Sequence, residues 1–143
     1  VVRAHLLRDG LVSFVKTTGG KGLHVVAPVH NASWPEVARY GDALADAMVR
    51  DAPDKYTGNM KKKLRTGKIF LDFARNMRGA TAVAPWSMRT RGTIATPVSW
   101  DELDEVRGST WTAVNIADRL ATADPWASYF ATRQMLPKLA SFA

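Results

Sequence analysis

The stretch Leu11-Val12-Ser13-Phe14-Val15-Lys16-Thr17-Thr18-Gly19-Gly20-Lys21-Gly22-Leu23-His24-Val25-Val26-Ala27-Pro28-Val29 decides the fold. Leu11 to Lys16 and Leu23 to Val29 are rich in β-formers and a Gly-rich loop joins them, so the segment reads as strand, loop, strand rather than strand, loop, helix. Period-two alternation puts His24 and Val26 on one face and Leu23, Val25 and Ala27 on the other. The loop offers backbone N–H groups, the Thr18 hydroxyl, the Lys21 ammonium and, just beyond it, the His24 imidazole. All of these suit phosphate oxygens. Taken alone the glycines are a weak signal: Gly hairpin loops are common, and the spacing is not that of a P-loop. A lone strand histidine is likewise usually structural. Convergence of Thr18 and His24 on one loop is what favours an anion site.

A second informative stretch is Ile69-Phe70-Leu71-Asp72-Phe73-Ala74-Arg75-Asn76, an acid inside an apolar run. Read as a strand, it turns Ile69, Leu71 and Phe73 one way and Phe70 and Asp72 the other. Asp72 is a hard oxygen ligand of the kind Mg²⁺ or Mn²⁺ prefers. The plain alternative is an ion pair with Arg75. Arg89 and Arg91 have period-two spacing, and on an extended segment both guanidinium groups point the same way, toward a phosphate chain or into solvent. The run Lys61 to Lys63 reads first as a solvated face, and secondarily as a track for a nucleic-acid backbone.

Between and beyond these lie ordinary structural signals. Ser33-Trp34-Pro35-Glu36 is a capping box with Pro in the first turn, and apolar residues recur at Val37, Tyr40, Leu44 and Met48, predicting a helix from Trp34 to about Arg50. A second capping box, Ser99-Trp100-Asp101-Glu102, predicts a short helix through about Val106. Strands are expected at Ala80 to Trp86, Thr93 to Val98 and Trp111 to Val114, and helices at Ile116 to Ala121 and Trp126 to Leu136, the last begun by Asp124-Pro125. The fold class is α/β or α+β, a mixed or antiparallel sheet with packed helices, in one domain or part of one.

Composition limits the functions available. Of 143 residues, 46% are hydrophobic, enough for a core. Twenty Lys and Arg against thirteen Asp and Glu give a net charge of +7 and a pI near 10.1. The default partner is a polyanion such as nucleic acid or a nucleotide, and a membrane surface is the weaker choice. No stretch approaches the roughly 20 apolar residues of a transmembrane helix, and the first residues lack a signal-peptide core. A cytoplasmic location is the default. There is no cysteine, so disulfides and thiolate zinc sites are excluded. The chain begins with Val1, which reads as a fragment or processed product.

The stretches Phe14 to Val26, Lys68 to Asn76, Arg78 to Ser87 and Thr96 to Leu103 together resemble the polymerase domain of bacterial DNA ligase D, in the archaeo-eukaryotic primase superfamily. The resemblance covers nearly the whole chain in order. It implies a primase-polymerase core half that adds NTPs or dNTPs to a 3′ end at DNA gaps and breaks during non-homologous end joining, with Mn²⁺ or Mg²⁺, beside the bacterial nucleoid. It also implies that Thr18, Lys21 and His24 hold the triphosphate, that Asp72 binds metal, and that Arg75, Arg89 and Arg91 approach the incoming nucleotide. Asn76 matches the family residue after that arginine. The family's Asp-x-Asp pair, which supplies the other metal carboxylates upstream of the first strand, occurs nowhere in this sequence. The chain thus reads as a C-terminal half, complemented by a missing N-terminal half. The competing expectation is a non-catalytic nucleic-acid-binding or interaction module derived from that domain. A P-loop kinase or GTPase is a distant third.

Overall fold

A computed structural model describes residues Val1–Pro137. They divide into two compact units: one holds Val1–Leu11, Val29–Thr81 and the segment from Gln134, the other Val12–Pro28 and Ala82–Arg133.

The second unit is built on the Gly hairpin. Strand β1 (Phe14–Thr17) pairs antiparallel with β2 (Leu23–Val26), in the register Phe14↔Val26, Val15↔Val25, Lys16↔His24 and Thr17↔Leu23. The other edge of β1 pairs antiparallel with a two-residue strand far along the sequence, Pro97–Val98, which we number β5. Proline lacks an amide donor, and this short edge strand is where a sheet tolerates it. Because β1 is central, all four of its residues are buried. One sheet face carries Val15 and Val98, which pack with Trp111 and are covered by Val25, Trp100, Leu103, Val106 and Ile116. Burying a Val or Leu side chain is worth about 1.5–3 kcal/mol, so this cluster holds the unit together. The opposite face carries Phe14, whose ring packs against Trp126 (5.7 Å between centroids) and Tyr129 (5.2 Å). The indole of Trp126 donates to the Val15 carbonyl at 2.9 Å, and that of Trp100 donates to the Ser13 carbonyl at 2.8 Å.

In the first unit, helix α1 (Val2–Arg8) precedes the hairpin, and α2 (Trp34–Asp51) carries the expected capping box: the Ser33 hydroxyl accepts from the Glu36 amide, and the Glu36 carboxylate accepts from the Ser33 amide at 2.7 Å. Leu6, Leu11, Tyr40, Ala45 and Met48 are buried. The Tyr40 hydroxyl donates to the Asp9 carboxylate at 2.8 Å. Burial, with that acid alongside, pushes the phenol well above its ordinary pKa. A parallel two-stranded ladder pairs β3 (Tyr56–Thr57) with β4 (Ile69–Phe70). A short α3 (Ile116–Leu120) belongs to the second unit.

Several expected elements take other forms. The strand through Asp72 ends at Phe70; one further ladder bond, from the Leu71 amide to the Thr57 carbonyl at 2.9 Å, closes it before Asp72. No strand forms at Ala80 to Trp86, where Trp86 sits at φ 63 and breaks the extended run. Trp111 to Val114 contributes a single bridge, Thr93↔Thr112. The helix expected from Trp126 to Leu136 is a series of turns ending in a 3-10 turn at Tyr129–Ala131, because the aromatic rings are committed to Phe14. The second capping box forms, and it starts a 3-10 turn at Trp100–Glu102 instead of a longer helix.

Candidate functional site

The Gly loop is shaped by its own first residue. The Thr18 hydroxyl donates to the Gly22 carbonyl at 2.9 Å and accepts from the Gly20 amide at 3.3 Å, while the Thr18 amide donates to Gly22 at 3.1 Å. Gly19 has φ 67, the left-handed region that glycine enters without cost. It is also pinned by neighbours: a Cβ there would stand 2.6 Å from Cγ of Arg89 and 3.3 Å from the Thr93 hydroxyl, which donates to the Gly19 carbonyl. On another side the backbone at Gly108 presses on the loop, since a Cβ there would lie 1.9 Å from the Gly20 carbonyl oxygen. Thr18, Lys21, His24 and Arg89 thus gather around one loop. Lys21 is exposed and His24 half-buried.

Arg89 and Arg91 do not lie on an extended segment. The Arg89 amide donates to the Thr93 carbonyl at 2.7 Å and the Gly92 amide donates back to Arg89 at 2.9 Å, with Gly92 at φ 77. This is a tight turn, so period-two alternation does not set the two guanidinium directions. What the turn does is lay Arg89 against Gly19.

Lys16 escaped the sequence reading. It is 2% exposed on β1, its register partner is His24, and its Nζ has no hydrogen-bond partner. Burial, and then the charge of Arg89, lower its pKa to about 8. The sequence held a usable signal: a lysine in an apolar strand, two residues before Thr18 and on the His24 face. Gly108 gave no local signal, because its role comes from a long-range contact.

Asp72 and Arg75 belong to the first unit. Nε of Arg75 donates to the Asp72 carboxylate at 3.1 Å, and its Nη1 donates to the Thr81 carbonyl at 2.9 Å. Both side chains are largely in water, Asp72 at 45% and Arg75 at 59% exposure. The segment is anchored from behind. The Asn76 amide packs on Gly41 of α2, where a Cβ would stand 2.8 Å away, and the Phe73 ring packs on Gly58, where a Cβ would stand 3.2 Å from it. The Asn76 side chain also donates to the Phe73 carbonyl at 3.0 Å. Asn76 therefore has a packing role. The Arg65 guanidinium lies 3.5 Å over the Phe70 ring, and Lys61, Lys62 and Lys63 are exposed.

A divalent metal centre needs several oxygen ligands. Among the described residues no group of three or more His, Asp or Glu side chains is placed to hold one. Asp72 offers a single carboxylate, already shared with Arg75. The described residues therefore do not make a complete metal site. Among the described residues, no helix is long and apolar enough to cross a membrane.

Comparison with known proteins agrees with this architecture. Residues 1–126 match the LigD primase-polymerase domain. The chain is 38% identical over 134 residues to the multifunctional non-homologous end joining protein LigD of Pseudomonas aeruginosa, covering 89% of this chain and 16% of that protein. The Mycobacterium tuberculosis LigD, a multifunctional non-homologous end joining DNA repair protein, is 38% identical over 110 residues, covering 73% of this chain and 14% of that protein. The chain thus spans about a sixth of the length of these relatives. Among solved structures, the polymerase domain from Mycobacterium tuberculosis ligase D in complex with DNA superposes with a TM-score of 0.78 at 34% identity, over 84% of this chain and 43% of that one. The chain belongs to the LigD primase-polymerase domain family.

Proposed function

We propose that this chain provides the triphosphate-holding part of a nucleotidyl transferase acting at DNA ends or gaps in non-homologous end joining, in the bacterial cytoplasm near the nucleoid. The observation that carries the reading is the Gly loop: it is closed by Thr18, walled by Arg89, Thr93 and Gly108, and surrounded by Lys21, His24 and Arg89. Cations arranged around a loop that is already held in shape bind an anion with little reorganisation. Lys21, His24 and Arg89 hold the phosphates of an NTP or dNTP. Thr18 reaches a phosphate only by turning its hydroxyl away from Gly22, so its first task is to shape the loop. Arg91 and Arg75 supply further positive charge.

Asp72 contributes one ligand to Mn²⁺ or Mg²⁺, at the expense of its pair with Arg75. No Asp-x-Asp pair occurs in the sequence, so the 143-residue chain alone binds nucleotide weakly and extends a primer poorly or not at all. The competing reading, a non-catalytic nucleic-acid-binding module, is favoured by the shortage of carboxylates. The two separate on Asp72→Ala, measured by nucleotide binding with and without Mn²⁺ and by binding to a gapped duplex. Loss of the Mn²⁺-dependent part of nucleotide binding supports the transferase reading. Unchanged nucleotide binding, with Mn²⁺ adding nothing in the parent chain, supports the module.

A further inference from the structure

Two cations meet at the Gly loop with no acid between them. Lys16 is buried at the centre of the sheet, and its Nζ makes no hydrogen bond. Arg89 lies against Gly19 and is near enough for its charge to act on Lys16. Neither Lys16 nor Arg89 forms an ion pair with an acid among the described residues. An unpaired buried ammonium costs several kcal/mol, and a protein keeps one only where something offsets that cost. Register places Lys16 beside His24 on one sheet face, and Thr18 continues that face into the loop.

We propose that Lys16 is a buried electrostatic anchor for the phosphate chain of a nucleotide seated on the Gly loop, acting through the loop rather than by direct contact. This rests on the nucleotide reading given above and adds a residue and a proton to it. Lys16 is a positioning residue. Its charge is held out of water, where Coulomb attraction to an anion falls off less than in solvent. An anion on the loop favours the charged form, so binding draws a proton from solvent onto the Lys16 amine wherever that amine was neutral. The titratable or charged groups brought toward it are His24 from β2, Arg89 from its turn, and Tyr129, whose ring packs on Phe14 of the same face, while Lys21 stands exposed in the loop.

The test is calorimetric titration with metal-free ATP in paired buffers of different ionisation heat, from about pH 7.5 to about pH 9.5, across the Lys16 pKa of about 8. The terminal phosphate ionises below this range, so above about pH 8.5 it is fully charged and the proton uptake there belongs to the protein. For the parent chain, ATP affinity falls about tenfold across this range with net proton uptake, which corresponds to a rise of about one pKa unit on binding. Lys16→Arg, charged at every pH used, keeps the affinity flat and tight. Lys16→Met keeps it flat and weak. Isotope-labelled dimethyl-lysine spectra of the parent chain, recorded with and without ATP, show the Lys16 resonance titrating at higher pH when ATP is bound. Parent-like affinity and proton uptake in Lys16→Met overturn the anchor. If His24→Ala weakens ATP binding and Lys16→Met does not, the anchor fails and the nucleotide reading stands. No ATP binding by the parent chain overturns both.

Discussion

The Gly loop and the Asp72 segment are built in opposite ways. The loop satisfies the Thr18 hydroxyl and the Thr18 and Gly20 amides within itself, buries Gly19 and is pressed by backbone from Gly108. The Asp72 segment leaves its ladder at Phe70 and displays its acid in water, held by one ion pair, while Phe73 and Asn76 do the anchoring. Under the proposed function, the loop that would bind an anion is fixed by packing, and the carboxylate that would exchange Arg75 for a metal ion is left accessible. Function and folding should therefore be coupled in the loop and separable at Asp72.

The sharpest way to break this contrast is to attack what supports each region. Trp126→Ala removes a ring from Phe14 and a donor from Val15, and should cost about 3–5 kcal/mol in denaturant unfolding. Gly108→Ala forces a methyl against the Gly20 carbonyl, so the loop must shift; about 1–3 kcal/mol of stability is lost, and ATP affinity with it. A Gly108→Ala protein with parent-like ATP affinity would show that loop shape does not matter.

Lys16 gives a prediction of opposite sign. Its folded pKa lies near 8, below the ordinary lysine value of 10.5, so the unfolded chain binds more protons between these values and stability rises with pH across that window. Below about pH 8 the full cost of burying the charge is present. Lys16→Met should therefore raise stability at neutral pH by on the order of 1–3 kcal/mol and flatten the rise. Unfolding midpoints at pH 7 and pH 10 check both. In the first unit, Tyr40→Phe deprives the buried Asp9 carboxylate of a donor and should cost about 1–2 kcal/mol. Asp72→Ala has the smallest effect on folding, within about 0.5 kcal/mol, because exposed ion pairs contribute little.

The elements legible in the sequence are those set by local chemistry. The Ser33 to Glu36 capping box fixes the start of α2, and the Gly loop fixes the hairpin and its register, hence the face shared by Lys16 and His24. Elements decided by distant contacts depart from what local sequence suggests. Ala80 to Trp86 looks like a strand by composition, but Trp86 adopts φ 63 and its amide is taken by Ala95 at 2.7 Å. Trp126, Tyr129 and Phe130 look helical, but the first two give their rings to Phe14. Helix α1 carries no capping signature: no side chain caps its first turn. The candidate site residues Thr18, Lys21, His24 and Asp72 follow from family motifs and not from local periodicity. The loop's outer wall at Gly108 and the isolation of Lys16 were not legible, since both arise from long-range packing.

The most direct test is primer extension on a gapped, 5′-phosphorylated duplex with Mn²⁺ and NTPs, by the chain alone and with a polypeptide carrying the family's Asp-x-Asp segment. Little or no extension is expected from the chain alone, and extension with the added segment that disappears in Asp72→Ala and His24→Ala. Extension that survives both substitutions would contradict that expectation.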